Sequence, residues 1–159
     1  IEKVMFMAIT QKCQYALRAI YELARRGEGP CKIGAVAEAQ GIPVRFLENI
    51  LNSLKGAGFV DSARGKDGGY FLARPASAIT VGEVIRFVQG DFRPVECGDE
   101  DDVCSVYGSC VFRPLWERAQ EALEAVYDGT TFQDLLDQSE ENRHGPECRC
   151  GRKVKIQKA

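Results

Sequence analysis

Residues 33–72 constrain the fold more than any other part of the chain. A short helical pattern, IGAVAEA, ends at Gln40-Gly41, and the longer pattern IPVRFLENILNSLK follows it and ends at Gly56 and Gly58. Pro43 suits the first turn of that second helix, whose apolar face comprises Phe46, Leu47, Ile50, Leu51 and Leu54. A helix, a short glycine-containing turn and a second helix predict a helix-turn-helix, although a helical hairpin in any small bundle has a similar pattern.

A basic hairpin directly after these helices strengthens the prediction. Phe59-Val60 and the stretch GYFL are strand-like, and SARGKDG between them places Arg64 and Lys66 at a glycine-rich tip. A basic hairpin in this position is a wing. The sequence therefore predicts a mainly α fold with a small β-wing, that is, a winged helix-turn-helix followed by a long dimerisation helix.

This order of elements suits double-stranded DNA. The major groove is about 12 Å wide and admits a helix with its side chains, while a wing lies along the backbone, where Arg64 and Lys66 neutralise phosphates. We expect DNA contacts from Phe46 and from the polar residues of the third helix, although the polar residues could be a solvated face. These polar residues are Arg45, Glu48, Asn49, Asn52 and Lys55.

The charge distribution agrees with a DNA-binding first half. Residues 1–75 hold 11 Lys/Arg against 7 Asp/Glu, residues 76–143 hold 5 against 15, and residues 144–159 hold 5 against 1. A basic first half in a chain of net charge −2 is typical of nucleic-acid binding. Chance partition of surface charge is the alternative.

The flanking segments also have helical patterns. We expect a first helix from Ile9 to Arg25 with Thr10 as N-cap, a helix in VGEVIRFVQG capped by Thr80, and a final short helix capped by Thr130 or Thr131. Between the last two, VFRPLWERAQEALEAVYDG carries an apolar stripe. This long helix is predicted to form a homodimer, because two-fold symmetric proteins bind two-fold symmetric operators. Alternatively, the stripe packs on its own domain.

Three cysteines, Cys97, Cys104 and Cys110, stand in the acidic, glycine-bearing segment VECGDEDDVCSVYGSC. The chain has seven cysteines and no recognisable secretion signal, which favours metal or redox chemistry over disulfides. Thiolates ligate iron–sulfur clusters. Zinc is a second reading, although the short Cys-x2–4-Cys spacings of structural zinc sites are absent between these residues. Three metal-free thiols acting as a redox sensor are a third.

Other classes of function find little support. There is no glycine-rich phosphate loop, and the single histidine, His144, is in the tail, so we expect no enzyme activity and no small-molecule substrate. No apolar run approaches the length of a membrane span, which predicts a cytoplasmic protein. The expected units are a DNA-binding domain (7–90), a cysteine loop (91–110), the dimerisation and C-terminal helices (111–138) and a flexible basic tail (139–159).

The runs ITQKCQYALRAIYELA, GIPVRFLENILNSLKGAGFV and RGKDGGYFLARPASAITVGEVI resemble the bacterial winged-helix regulators typified by IscR, NsrR and CymR. The resemblance covers residues 7–138, and its wing-to-helix stretch is the most specific part. It implies that Met7 is the native start, with residues 1–6 an extension.

The resemblance also implies a role for the cysteine loop. IscR-like and NsrR-like members hold an iron–sulfur cluster with three cysteines at the positions of Cys97, Cys104 and Cys110, whereas CymR-like members lack them. The fourth ligand departs from both patterns. Arg113 stands where IscR-like members have the histidine of a [2Fe–2S] site, and Gln14, beside Cys13, stands where NsrR-like members have the aspartate of a [4Fe–4S] site.

These observations predict a homodimeric transcription regulator, such as a repressor, whose affinity for its DNA operator depends on a [2Fe–2S] or [4Fe–4S] cluster. The signal would be iron–sulfur supply, oxidants or nitric oxide. Cys13 or Gln14 is the candidate fourth ligand, and Cys13 is equally compatible with a small buried residue. The alternative is a cluster-free regulator controlled by thiol redox state or by a partner enzyme.

Overall fold

The computed structural model describes residues 9–91 and 107–142. The predicted start at Met7, Cys97, Cys104 and the tail beyond residue 142 lie outside these residues. The helices are α1 (Gln11–Arg26), α2 (Ile33–Gln40), α3 (Val44–Gly56), α4 (Val81–Gln89), α5 (Arg113–Asp128) and α6 (Phe132–Asn142), and the strands are β1 (Val60–Ala63) and β2 (Gly69–Leu72).

Helix α1 is the centre of the core, because α2, α3, α4 and α6 all pack against it. Its buried face is formed by Ala16, Ala19, Ile20 and Leu23. The expected N-cap is confirmed, since the Thr10 hydroxyl accepts a hydrogen bond from the backbone N–H of Cys13 at 3.2 Å. The small alanines of this face let neighbouring helices approach α1 closely.

The winged helix-turn-helix is confirmed. Gly41 ends α2 in the left-handed conformation, with φ of 60°, which glycine adopts without a steric penalty. The chain then turns through the buried Ile42 into α3. Strands β1 and β2 pair antiparallel with Val60 opposite Leu72. The first strand extends to Ala63, so it takes in residues that the sequence assigned to the hairpin tip.

The second half of the fold is connected to the wing domain by the turn between α5 and α6. The backbone N–H of Val81 donates to the Thr130 carbonyl at 2.9 Å, and that of Phe132 donates to the Ile79 carbonyl at 3.1 Å. Phe132 is fully buried. Thr80 forms the expected cap of α4 as a capping box with Glu83, which ties this turn to a well-formed helix start.

Of the two threonines considered as the cap of α6, Thr131 fills the position. Its hydroxyl accepts from the backbone N–H of Asp134 at 3.1 Å. Helix α6 ends at Asn142, four residues beyond the expected end of the helical unit at residue 138, and the Ser139 hydroxyl donates to the Leu136 carbonyl within it. Within residues 9–91 and 107–142, every helix is too short or too polar to span a membrane.

Candidate nucleic-acid interface and cysteine loop

One face of α3 presents polar side chains to solvent. Arg45, Glu48, Asn49 and Asn52 are all exposed and follow one another at helical spacing. On the opposite face, Leu47, Ile50, Leu51 and Leu54 are buried in the core. The helix is therefore held by its apolar side while its polar side is free to enter a groove.

The sequence-based placement of Phe46 on the apolar face is wrong. The Phe46 side chain is 63% exposed, and Val44 beside it is 48% exposed. Leu47, one position further along, takes the buried site at the start of the helix, and a helix turns by about 100° per residue. Exposed apolar groups at this end of a recognition helix can contact the methyl group of thymine, and Val44 is a candidate contact that the sequence pattern did not indicate.

The wing is anchored to the start of α2. Cys31 and Tyr70 exchange two backbone hydrogen bonds, of 2.8 Å and 2.9 Å, so residue 31 pairs with the outer edge of β2. A side chain at Gly69 would collide with the Cys31 carbonyl, which explains glycine there. Lys32 donates to the carbonyl of Lys66 at the wing tip. These contacts fix the wing against the helix-turn-helix.

The positive side chains of the wing tip remain exposed. Arg64 and Lys66 both lie at the surface, where they can contact phosphates without first breaking a core contact. By contrast, Lys55 is already paired, since its ammonium lies 2.8 Å from Asp61 and 2.6 Å from the Ser62 hydroxyl. The hydrogen bond from Lys55 lowers the pKa of Asp61. Lys55, which the sequence grouped with the DNA-facing residues, thus links α3 to β1.

A buried carboxylate joins α1 to the turn of the helix-turn-helix. Glu22 is fully buried and accepts hydrogen bonds from Arg25 at 2.7 Å, Arg26 at 2.7 Å and Gln40 at 2.9 Å. Burial by itself would raise the pKa of Glu22, but the hydrogen bonds from these three side chains outweigh that effect and lower it to about 2. Arg18 also donates to Gln40. Gln40, the last residue of α2, is therefore held on α1 at the point where the chain turns toward α3.

The structure describes one of the three loop cysteines. Cys110 is half-buried directly before α5, and its carbonyl accepts from the Arg113 N–H at 3.4 Å. Among the described residues no three His, Cys, Asp or Glu side chains come together as a metal site. The described part of the chain thus places only the end of the predicted cysteine site.

The two candidate fourth ligands have opposite surroundings. Cys13 is 0% exposed and packs against Val81 and Ile85, and burial raises the pKa of its thiol to about 11. Gln14 is exposed, and its side-chain amide donates to the Ile9 carbonyl at 3.0 Å. Only Gln14 presents its side chain to solvent in this conformation.

Both helices that flank the cysteine loop are tied to the rest of the fold. The side-chain Oε1 atom of Gln89, at the end of α4, accepts hydrogen bonds from the backbone N–H and the hydroxyl of Thr10, at 3.0 Å and 3.2 Å. Arg86 on α4 pairs with Asp128 at the end of α5. Helix α4 therefore packs against both α1 and α5.

Helix α5 has the least covered surface of the described helices. None of its residues is buried, and Leu115 and Val126 are 50% and 62% exposed. Val111 and Phe112, just before the helix, are 81% and 58% exposed. An open, mostly apolar groove of about 380 Å³ lies where α1, α5 and α6 meet. Of the four exposed apolar residues, Val126 lines this groove, and exposed apolar patches can mark protein–protein contacts.

The fold and the exposed face of α3 with its basic wing define a winged-helix DNA-binding protein. A family model described as Rrf2, iron-dependent transcriptional regulator, matches residues 9–138. The chain is 36% identical over 130 residues to the HTH-type transcriptional regulator CymR of Bacillus subtilis (strain 168), which covers 81% of this chain and 89% of the relative. The chain belongs to the Rrf2 family of transcription regulators.

Solved structures of the family support the same conclusion. The structure of CymR, titled the global cysteine regulator of B. subtilis, aligns with a TM-score of 0.70 at 36% identity, over 82% of this chain and 97% of the other. The structure titled T. potens IscR aligns with a TM-score of 0.71 at 32% identity, over 88% and 93%. These comparisons support the winged fold and DNA binding. They include both IscR-like and CymR-like regulators.

Proposed function

We propose that this chain is a transcription regulator whose affinity for its operator is controlled by an iron–sulfur cluster held by Cys97, Cys104 and Cys110. The observation that carries the proposal is the set of three thiols in one glycine-bearing segment directly before α5. This donor set suits a cluster, because thiolates are the usual protein ligands of iron–sulfur centres. When bound, the cluster would supply a redox-sensitive group within the loop.

In this proposal, the helices at the two ends of the loop would connect it to the DNA-binding half of the chain. The loop begins after α4, whose end is joined to Thr10 by a hydrogen bond to Gln89, and it ends at Cys110, shortly before α5 begins at Arg113. A change in the distance between the two ends of the loop would move α4 relative to α5, which pack against each other. A signal can shift DNA binding only if the protein states that it favours differ in their affinity for the operator.

We propose further that α5 forms a homodimer through its exposed apolar stripe. Stable protein interfaces bury at least about 1,200 Å² in total, so the contact would need more than the stripe of α5. The apolar groove between α1, α5 and α6, which the exposed Val126 lines, could supply further surface. A dimer places two copies of α3 on one face, as a two-fold symmetric operator requires. Arg45, Phe46, Glu48, Asn49 and Asn52 would then contact bases, and Arg64 and Lys66 would contact the backbone.

A second candidate function is that of a cluster-free regulator controlled by thiol oxidation or by a partner enzyme. The observation that favours it is the 36% identity to CymR over 130 residues. In that case Cys97, Cys104 and Cys110 would act as free thiols. The two candidates share the DNA-binding half and differ only in what the loop holds.

Anaerobic purification followed by a visible absorption spectrum and by iron and sulfide assays separates the two candidates. We expect brown protein with matched iron and sulfide, and a colourless Cys104→Ala variant that remains folded. Cys148→Ser, which removes a tail thiol outside the loop, is the matched control and should keep its colour. Colourless wild-type protein without iron would favour the cluster-free regulator. Full cluster occupancy in Cys104→Ala would show that Cys104 is not a cluster ligand.

A further inference from the structure

A side-chain hydrogen bond joins the wing to the DNA-facing side of α3. The Tyr70 hydroxyl, on β2, donates to the Oδ1 atom of Asn52 at 3.3 Å. Asn52 belongs to the exposed polar face of α3 and is itself exposed. The amide that faces outward from the recognition helix is therefore held by a residue of the neighbouring hairpin.

Tyr70 is held in place on both sides. Its backbone pairs with Ser62 in β1 and, on the opposite edge, with Cys31. Its ring is half-buried and packs against the main core. A hydroxyl carried by such a constrained residue stays in one position, and a hydrogen bond from it restricts the orientation of its partner.

The orientation of the Asn52 amide decides which DNA groups it can bind. A carboxamide has an oxygen that accepts and an NH2 group that donates, and the bidentate contact with adenine uses both ends together. In this structure the Oδ1 atom of Asn52 faces Tyr70. The NH2 group is at the other end of the planar amide and is left for an acceptor.

We propose that Tyr70 is a positioning residue that fixes Asn52 as a hydrogen-bond donor toward DNA. The acceptor is either a base-edge atom in the major groove, such as guanine O6 or N7, or a phosphate oxygen. This inference rests on the proposed function, in which α3 lies in the major groove. It adds a residue of the wing, outside the basic tip, to those that determine how the helix binds DNA.

The test is a double-mutant cycle on DNA selected from a random-sequence duplex library by the wild-type protein. Tyr70→Phe keeps the ring and removes only the hydroxyl, and it should weaken binding about threefold to tenfold, the effect of one hydrogen bond. In an Asn52→Ala background the same change should have no effect. Tyr15→Phe removes a hydroxyl that bonds Gln11 on its own helix, and it is the control expected to match wild type.

The library also distinguishes the two kinds of acceptor. If Asn52 donates to a base, Tyr70→Phe changes the preference at one base pair in each half-site. If it donates to a phosphate, affinity falls equally for all sequences while the preference is unchanged. In both cases Asn52→Asp, which keeps an acceptor for Tyr70 but loses the donor, should bind at least as weakly as Asn52→Ala.

The proposal is overturned if Tyr70→Phe matches wild type in affinity and preference while Asn52→Ala does not. It is also overturned if Tyr70→Phe causes the same loss in the Asn52→Ala background, because the hydroxyl would then act on the fold alone. A wild-type chain that selects no sequence would overturn the proposed function and this inference with it. Thermal unfolding of each variant confirms that the compared proteins are folded.

Discussion

Gln89 and Thr10 join the end of α4 to the start of α1. The Gln89 side-chain oxygen accepts two hydrogen bonds from Thr10, from its backbone N–H at 3.0 Å and from its hydroxyl at 3.2 Å. The same hydroxyl accepts from the Cys13 N–H and so caps α1. The last residue of α4, near the start of the cysteine loop, is thus connected to the helix at the centre of the core.

Replacing Gln89 by leucine should weaken this connection while keeping the size of the side chain. We expect a loss of about 1 kcal/mol in the free energy of unfolding, because two hydrogen bonds at an exposed site are removed and water replaces them. Urea unfolding measures this loss. Gln133→Leu on α6, where the side chain bonds Asp137 on its own helix, is the matched control and should change stability by less.

Glu22→Gln should destabilise the protein by about 2 kcal/mol at pH 7, because it removes a buried charge from its two arginine partners. That figure is below the range of about 3–5 kcal/mol for broken buried pairs, since the side chains of Arg25 and Arg26 are 40% and 37% exposed and water screens them. Urea unfolding measures the loss. Glu38→Gln, at an exposed position of α2, should be close to neutral.

The same carboxylate predicts how stability depends on pH. The pKa of Glu22 is about 2 in the folded protein, below its ordinary value of about 4.3. Its contribution is therefore complete above about pH 5 and is lost as the pH falls toward 2. Unfolding at pH 7 and at pH 3 should show a smaller difference between wild type and Glu22→Gln at the lower pH. A difference that stays constant would contradict the assignment.

Arg64→Ala should weaken binding to all DNA sequences alike, because the exposed arginine of the wing is expected to neutralise a phosphate. The slope of log affinity against log salt should fall by about one. Titrations of labelled duplex at several salt concentrations measure it. Lys12→Ala removes an exposed positive charge at the start of α1 and should leave the slope unchanged. An unchanged slope in Arg64→Ala would count against contact with the wing.

Leu115→Glu should weaken the proposed dimer about 30-fold or more, as expected when a charge is introduced at an apolar hot spot of an interface. Leu115 is 50% exposed in the single chain, so the fold itself should tolerate the change. Sedimentation velocity at micromolar concentration measures the association. Glu121→Gln on the same helix is the control. Wild-type protein that sediments as a monomer would contradict the proposed dimer.

Cys13→Ala tests whether the buried thiol serves as the fourth ligand. Cys13 is 0% exposed and packs against Val81 and Ile85, so it would have to leave the core to bind iron. We expect Cys13→Ala to keep the iron and sulfide content of the wild type, with a modest loss of stability. Loss of iron in a folded Cys13→Ala protein would show that the start of α1 opens.

Local signals in the sequence predicted much of the fold. Thr10 and Thr80 cap their helices as expected, because a cap depends only on residues within one helical turn. The wing followed from glycine-rich turn chemistry and from strand-like residues on either side of Arg64 and Lys66. These features need no knowledge of the tertiary structure.

Contacts between distant residues were not predictable in the same way. Glu22 with Arg25 and Arg26 has the spacing of a solvated helix face, but Glu22 is buried and also accepts a hydrogen bond from Gln40, 18 residues away on α2. Tyr70 and Asn52 are 18 residues apart and meet only because the wing folds onto α3. The exposed position of Phe46 likewise depends on which residues the core has room for.

Control of DNA binding by the cluster can be measured as the operator affinity of the protein with and without its cluster. Anaerobically purified wild type and the Cys104→Ala variant would be titrated, at one salt concentration, against the duplex that the wild type selects from a random library. We expect at least a tenfold difference in affinity, with both proteins folded and equally dimeric. Equal affinities would contradict cluster control and leave a DNA-binding regulator whose loop serves another purpose.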